Sequence, residues 1–151
     1  MSGQPYPIGV QGQPWGAAEK AAWRARQRKL RSHADEVMAK IDALRNRFDV
    51  DRYGELDYAP DGTYPLLAIR SRGWDDGLPT MLVTGGVHGY ETSGVQGALQ
   101  FVERDAAAYA GRANLLVVPC VSPWAYERIN RWNSDALDPN RNFKAGSPAR
   151  E

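Results

Sequence analysis

Two residues of metal-binding type, His88 and Glu91, stand three positions apart in the stretch TMLVTGGVHGYETSGVQGAL, residues 80–99. A neutral imidazole and a carboxylate are both good zinc ligands. Because this spacing falls on the turn that opens a predicted helix, both side chains can reach one point. The competing interpretation is a helix-terminal arrangement, in which Thr92 or Ser93 begins the helix and Glu91 only favours its positive end. The pair by itself is a weak signal for a metal site.

A catalytic zinc site normally has three protein ligands and a water molecule. The chain has two histidines, and the second, His33, lies in a predicted amphipathic helix beside Ala34 and Asp35. That position is typical of an exposed helix residue and does not favour a third ligand. The metal hypothesis therefore needs support from another part of the sequence.

A second group of polar residues supplies that support. The stretch ERINRWNSDALDPNRNF, residues 127–143, is rich in arginine and asparagine and has no clear period. An arginine presents a rigid fork of donors that matches a carboxylate, and a neighbouring asparagine adds an oriented amide. An arginine aimed at a carbonyl oxygen can stabilise the charge that develops there during acyl transfer. The stretch therefore indicates the binding of a substrate that carries a carboxylate.

Together the two stretches resemble a known family. GGVHGYE followed by NRWNSDALDPNRNF is similar to the zinc carboxypeptidases of the carboxypeptidase A type, and the likeness covers about residues 66–143. In that family a His-x-x-Glu at a strand end supplies the first two zinc ligands. An Asp-x-Asn-Arg-Asn-(Phe/Trp) sequence contains the substrate-binding Asn-Arg pair. The first stretch also looks like that of the succinylglutamate desuccinylase and aspartoacylase branch, which shares the fold and metal site.

The resemblance implies a role for each matching residue. His88 and Glu91 would be ligands of one Zn²⁺ ion. Asn140 and Arg141 match the pair that holds the terminal carboxylate of the substrate. Arg131 matches the catalytic arginine that polarises the scissile carbonyl.

Two further residues belong to the same comparison. Arg128 is the alternative to Arg131 if the register is shifted. Asp138 occupies the position of an acidic residue that orients the zinc-bound histidine, a role that fits the general construction of metal sites.

Parts of the family pattern are missing from this chain. The third zinc ligand, the glutamate that acts as general base and the specificity pocket all lie further along in family members. The resemblance therefore implies the N-terminal part of a carboxypeptidase-like domain, truncated and inactive alone. The complete protein is expected to remove a C-terminal amino acid from a peptide. The alternatives are an N-acyl amino acid deacylase and a non-catalytic pseudoenzyme.

The strands and the helix that are predicted around these residues indicate an α/β fold. We expect an incomplete mixed or mostly parallel sheet, flanked by helices and preceded by an amphipathic helical arm. Three strands are predicted: one begins at residue 66, and the others span residues 80–87 and 114–121. A helix is predicted at 93–109. The chain divides into an arm with its helix, residues 1–56, and the catalytic portion, residues 57–151.

Within the arm, residues 1–16 are rich in Gly, Pro and Gln and read as irregular. An apolar stripe then predicts helix over 17–48, with a possible break at residues 32–33. The basic stretch RARQRKLR, residues 24–31, is interpreted as a solvated helix face. Turn residues at 57–65 mark the boundary with the catalytic portion.

Composition limits the remaining choices. The 151 residues carry a formal net charge of +1, which does not favour nucleic acid or an anionic membrane as a partner. The single cysteine, Cys120, excludes an internal disulfide and fits a reducing compartment. With neither a secretory signal nor a membrane-spanning segment in the sequence, the expected location is the cytoplasm. The expected partner is a peptide or N-acyl amino acid with a free carboxylate.

Overall fold

The computed structural model describes residues 7–151, which form an open sheet of four strands. The strands are β1 (Asp49–Asp57), β2 (Thr63–Arg70), β3 (Thr80–Thr84) and β4 (Asn114–Val118). Their order in space is β1-β2-β4-β3. The pairs β1–β2 and β2–β4 are antiparallel, whereas β3 and β4 are parallel. The predicted α/β fold with an open mixed sheet is confirmed.

The helices flank this sheet and precede it. They are α1 (Ala17–Arg26), α2 (Ala39–Leu44), α3 (Thr92–Arg104) and α4 (Pro123–Arg128). A π-helical segment, Ala34–Met38, leads into α2, and 3₁₀ turns occur at Ala106–Tyr109 and Pro139–Arg141. Within the described residues, none of these helices has the length and apolar character that crossing a bilayer requires.

The N-terminal arm is broken earlier than its apolar stripe predicts. An irregular segment, residues 27–32, follows α1. There the backbone amides of Leu30 and Arg31 donate to the carbonyl oxygen of Glu127, at 2.8 and 3.2 Å. Leu30 is 64% exposed and takes no part in the core. One continuous helix over 17–48 is therefore wrong, whereas the alternative of two helices, with a possible break at residues 32–33, is correct apart from the earlier start of the break. The break begins at residue 27 because a long-range backbone interaction overrides the local periodicity.

One prediction about a polar residue of the arm is wrong, and another is only partly right, since Arg26, Arg28 and Lys29 are exposed as predicted. His33 is only 5% exposed, and its ring lies beside that of Tyr64 with 6.2 Å between centroids. The basic stretch, residues 24–31, is more than a solvated face. Arg24, for example, forms an ion pair with the carboxylate of Asp61 at 2.8 Å. The part of the irregular arm at residues 1–6 lies outside the described residues, whereas residues 7–16 are irregular as predicted.

Strand β1 was not predicted, because its residues are mostly exposed and charged and show no apolar alternation. It forms a hairpin with β2 through the turn at residues 57–63. The turn chemistry of this stretch therefore closes a hairpin. The division of the chain at 56/57 stays a prediction, and β1 runs across that position.

The core lies between the sheet and the helices α2 and α3. From α3 it receives Val95, Leu99 and Val102, and from the sheet Ile69 and Val117, all at most 3% exposed. Burial of one such side chain contributes about 1.5–3 kcal/mol. This packing fixes α3 against the parallel pair of strands, and so fixes both ends of the turn that joins β3 to α3.

Strand β3 lies at the edge of the sheet. Within residues 7–151 its one neighbour is β4, and its Met81 and Leu82 are 38% and 63% exposed. The apolar run of β3 is therefore only partly buried. Polar backbone groups along the outer side of an edge strand can pair with another strand.

Candidate metal site

The turn that carries His88 and Glu91 connects the carboxyl end of β3 to the start of α3. Two glycines lead into it. A Cβ atom on Gly85 would lie 2.7 Å from the carbonyl oxygen of Pro119, so no side chain fits there. Gly86 has a φ of +62°, in the left-handed region that side chains disfavour. The glycine pair thus lets the chain leave the sheet sharply and enter the turn.

The turn rests directly on the backbone of α4. A Cβ atom on Gly89 would lie 1.9 Å from the carbonyl carbon of Ala125 and 2.2 Å from the amide nitrogen of Tyr126. Next to it, the amide of Tyr90 donates to the carbonyl oxygen of Asn130 at 3.0 Å. Helix α4 and the loop behind it therefore set the position of the residues between the two candidate ligands.

The two candidate ligands face each other. Nδ1 of His88 lies 2.8 Å from Oε1 of Glu91, and the imidazole is 4% exposed whereas the glutamate side chain is 46% exposed. Helix α3 begins at Thr92, as the helix-terminal interpretation predicts, but Glu91 makes no side-chain cap hydrogen bond. Its carboxylate is directed to the imidazole instead of the helix end.

A second carboxylate holds the other side of the imidazole. Oδ1 of Asp138 lies 2.9 Å from Nε2 of His88 and also accepts from the amide of Asn140 at 3.0 Å. Burial opposes ionisation of Asp138, but hydrogen bonds from His88 and Arg131 outweigh it and hold the pKa of this carboxyl below its usual value. An ionised Asp138 favours the tautomer of His88 that carries its proton on Nε2.

This tautomer makes Nδ1 an electron-pair donor that faces the oxygens of Glu91. A neutral imidazole has one N–H group, so it cannot donate to both carboxylates. Two electron pairs 2.8 Å apart repel each other, and a proton or a cation between them removes the repulsion. Zinc bonds to imidazole nitrogen and carboxylate oxygen are about 2.0–2.2 Å long. The donor set of His88 and Glu91 therefore fits one zinc ion.

Asp138 does not add a third donor to that point, because it lies at the opposite ring nitrogen from Glu91. Over residues 7–151, no three side chains of His, Cys, Asp or Glu converge as a metal-binding group. His33 lies buried beside Tyr64, in the part of the structure that surrounds Glu127. The described residues thus bring two protein donors to the candidate ion.

Arg131 belongs to the same group of side chains. Its Nε and Nη2 donate to Oδ2 of Asp138 at 3.1 and 2.9 Å, and its Nη1 donates to the hydroxyl of Tyr90 at 2.9 Å. The hydrogen bonds to Asp138 and then to Tyr90 raise the pKa of the guanidinium. Its side chain is 39% exposed. The arginine is thus fixed beside the imidazole and still open to solvent.

The sequence did not indicate Tyr90 as a residue of this site. Its ring is parallel to that of His88, with 5.7 Å between centroids, and its hydroxyl accepts from Arg131. The one available signal was an aromatic residue between two ligand types, which is too common to indicate a role. Tyr90 connects the turn after β3 to the arginine-rich loop.

The remaining predicted residues lie in two different places. Asn140 and Arg141 are exposed on the 3₁₀ turn that follows Asp138, and the Arg141 guanidinium donates to the carbonyl oxygen of Asn140 at 3.3 Å. Arg128, the alternative to Arg131, is packed on the ring of Trp124 with only 7% of its side chain exposed. The geometry therefore favours Arg131 over Arg128 as the arginine of this site.

No protein-family model and no curated protein sequence matches the chain, but solved structures do. A candidate metallopeptidase from Shewanella baltica is 28% identical with a TM-score of 0.62, over 73% of this chain and 40% of that chain. A candidate metallopeptidase from Shewanella amazonensis is 27% identical with a TM-score of 0.60, over 68% and 37%. A candidate carboxypeptidase A from Shewanella denitrificans, at 22% identity and a TM-score of 0.61, is similar in fold.

This chain therefore spans about two fifths of the length of the two metallopeptidase structures. The match covers more than two thirds of its own residues. Over the part that aligns with these structures, the chain has the metallocarboxypeptidase fold.

Proposed function

We propose that this chain carries part of the active site of a zinc-dependent hydrolase of the metallocarboxypeptidase type. The names of the structural neighbours support a hydrolase of this fold. The observation that carries the proposal is the imidazole of His88, held between Glu91 at Nδ1 and Asp138 at Nε2. This arrangement sets one ring nitrogen beside a carboxylate oxygen. With the imidazole proton held on Nε2 by Asp138, Nδ1 would be free to bind a metal ion.

His88 and Glu91 would hold the metal ion. When bound, zinc supplies Lewis acidity, which polarises a carbonyl oxygen and makes water a better nucleophile near neutral pH. The task of Asp138 is to keep the proton of the imidazole on Nε2. Because that proton is shared with an ionised carboxylate, His88 stays oriented with Nδ1 towards Glu91.

Arg131 would stabilise the negative charge that develops on the scissile carbonyl oxygen. Its guanidinium is oriented by Asp138 and Tyr90 and remains accessible to a substrate. Loss of one such donor commonly raises the barrier by about 2.7–4 kcal/mol.

Asn140 and Arg141 would bind the free carboxylate of the substrate. Both are exposed, and both follow Asp138 directly on one turn, so they lie on the same loop as the group that orients His88. An arginine fork with a neighbouring amide suits a carboxylate. The substrate therefore carries a free carboxylate, and the metallopeptidase names of the structural neighbours favour a peptide from which the last residue is removed.

The substrate class can be tested by binding. We expect a dipeptide with a blocked N-terminus and a free carboxylate to shift the amide resonances of Asp138 and of residues 140–142 in the zinc-treated protein. The same dipeptide with a C-terminal amide should not shift them. Arg141→Gln should abolish the response, whereas Arg45→Gln, which alters an exposed arginine paired with Asp42, should leave it intact. Equal responses to acid and amide would contradict the proposed substrate.

The activity is tested with the natural protein, captured from its own cells with an antibody against this chain. We expect it to release the last residue of the free-acid dipeptide and to lose that activity on treatment with a chelator. Release of an N-acyl group from an acyl amino acid, with no cleavage of peptides, would favour the deacylase alternative. Absence of any zinc response at His88 would instead favour a non-catalytic protein.

A further inference from the structure

The irregular segment at residues 27–32 places Arg31 beside the turn that carries the two candidate ligands. The backbone amides of Leu30 and Arg31 donate to the carbonyl oxygen of Glu127, at the end of α4. From there the side chain of Arg31 reaches the turn between β3 and α3. Two parts of the chain about 60 residues apart thus meet through one side chain.

All three nitrogen atoms of the Arg31 guanidinium donate hydrogen bonds. Nη2 donates to the carbonyl oxygen of Gly89, Nη1 to Oγ1 of Thr92 and Nε to the carbonyl oxygen of Tyr126, each at 2.6 Å. The guanidinium also lies over the ring of Tyr126, 3.5 Å from its centroid. Gly89 follows His88 directly, as Thr92 follows Glu91, so the arginine holds both halves of the turn.

We propose that Arg31 is a positioning residue that fixes the turn from His88 to Glu91 and so keeps the two candidate ligands facing each other. Its link to metal binding rests on the proposed function. The link to the turn itself rests on the two hydrogen bonds that Arg31 donates to Gly89 and Thr92. Arg31 touches neither ligand side chain in these contacts and acts through the backbone and through Thr92.

The segment that carries Arg31 is itself held on both sides. The buried carboxylate of Glu127 accepts from Nζ of Lys29 at 2.7 Å and from the amide of His33 at 3.0 Å. It also accepts from the hydroxyl of Tyr64 at 2.8 Å. Burial opposes the ionisation of Glu127, but these hydrogen bonds hold the pKa of its carboxyl below the usual value. Arg31 is therefore presented from a fixed segment and not from a free tail.

An arginine is required at this position by geometry. Its planar fork donates at once to acceptors on the turn and on α4, which a lysine ammonium on a flexible stem cannot reproduce. Gly89 has no room to move towards α4, because a Cβ atom there would meet the backbone of Ala125. Arg31 restrains the same residue through its carbonyl oxygen. The turn is thus held from two sides.

The test compares Arg31→Ala, Arg31→Lys and the control Arg28→Ala in the full chain without metal. Arg28 donates to the carbonyl oxygens of Ala25 and Gln27, which are near it in the sequence, and no other side-chain hydrogen bond of Arg28 occurs among residues 7–151. Hydrogen exchange is measured at the amides of Tyr90 and Glu91 and, for reference, at Val117 in the core.

We expect Arg31→Ala to speed exchange at Tyr90 and Glu91 about tenfold, as the loss of a charge-assisted hydrogen bond predicts. Arg31→Lys should not restore the slow rate. The amide of Val117 reports global unfolding, so any change there measures the general loss of stability. Unchanged exchange at Tyr90 and Glu91 in Arg31→Ala, with or without faster exchange at Val117, would overturn the proposal.

A second readout connects the turn to the metal. The protein contains only two histidines, so ¹⁵N-histidine labelling separates the His88 ring from that of His33 during a zinc titration. We expect Arg31→Ala to weaken zinc binding at His88 about tenfold, measured at a temperature at which the variant is folded. Wild-type affinity in a variant with a loosened turn would overturn the link to metal binding.

Two further outcomes are distinguishable. If the wild-type His88 ring does not respond to zinc, the proposed function fails, and the exchange rates still decide whether Arg31 positions the turn. If Arg31→Ala does not fold, Thr92→Val replaces it, since this variant removes one acceptor and keeps Arg31. We then expect about threefold faster exchange at Glu91, and no change would overturn the proposal.

Discussion

Oδ1 of Asp138 lies 2.9 Å from Nε2 of His88, and the same carboxylate binds the guanidinium of Arg131 through its other oxygen. One side chain therefore orients both a candidate metal ligand and the candidate catalytic arginine. The two residues that it joins come from different loops, one after β3 and one after α4. This contact brings the His-x-x-Glu turn and the arginine-rich loop into one site.

Substitution Asp138→Asn should weaken zinc binding by about 10–100-fold, the usual cost of removing a group that orients a metal ligand. An amide can donate to Nε2 of His88 and so favours the opposite tautomer, in which Nδ1 carries the proton. The affinity is measured by zinc titration of ¹⁵N-histidine-labelled protein. Asp135→Asn, which alters a carboxylate paired with Arg150, is the matched control. Equal affinities for the two variants would contradict the role of Asp138.

Gly89→Ala should destabilise the fold by about 1–3 kcal/mol, because the added methyl group would overlap the backbone of Ala125. The free energy of unfolding is measured with urea. Gly97→Ala is a control that should increase the free energy of unfolding. It lies in α3 with open space around its Cβ position, and alanine is favoured over glycine in a helix by about 1 kcal/mol. A neutral Gly89→Ala would show that the turn does not rest on α4.

Stability should fall as the pH is lowered from about 6.5 to about 4. Burial lowers the pKa of His33 in the folded protein to about 4, from 6.5 in the unfolded chain. Between these values the unfolded state binds the extra proton and the folded state does not, so acid favours unfolding. The loss should approach about 3 kcal/mol at pH 4. Urea unfolding at a series of pH values measures it.

His33→Gln should flatten this dependence, whereas His88→Gln should leave the His33 contribution in place. An equal change in the free energy of unfolding between pH 6.5 and 4 in the wild type and in His33→Gln would contradict the contribution of His33. Such a result would mean that His33 is protonated in the fold and is not enclosed as the structure has it.

The 151-residue chain alone should not hydrolyse a blocked dipeptide with a free C-terminus. Its described residues bring two donors to the candidate ion, whereas a catalytic zinc normally has three protein ligands. General-base assistance raises the reaction rate by about a further 10²–10⁴-fold. The purified chain is assayed with and without a chelator. Hydrolysis that is lost with the chelator and in His88→Ala would contradict this expectation.

The close approach of His88 and Glu91 was predictable from sequence because its geometry is local. His88 and Glu91 are three residues apart on a turn whose ends are set by a strand and a helix, and both elements were predictable from apolar pattern. The contribution of Gly89 is different. Its lack of a side chain matters only because α4, more than 30 residues away, lies against it.

Long-range contacts explain most of what the sequence did not predict. Leu30 fits the apolar stripe of the arm, yet its amide binds Glu127 and its side chain faces solvent. Arg31 belongs to a basic stretch that is typical of a solvated helix face, yet it reaches the turn after β3. Strand β1 has no apolar alternation because it lies at the edge of the sheet with most of its residues exposed. Each of these outcomes depends on a contact with a residue that is distant in the sequence, which the local pattern does not reveal.

The most direct measurement is an anomalous difference map at the zinc edge, from crystals of this chain grown with zinc. We expect a zinc peak within bonding distance of Nδ1 of His88 and a carboxylate oxygen of Glu91, with Nε2 still bound to Asp138. A map with zinc at other residues, or with none while Oε1 of Glu91 stays 2.8 Å from Nδ1 of His88, would contradict the proposed metal site.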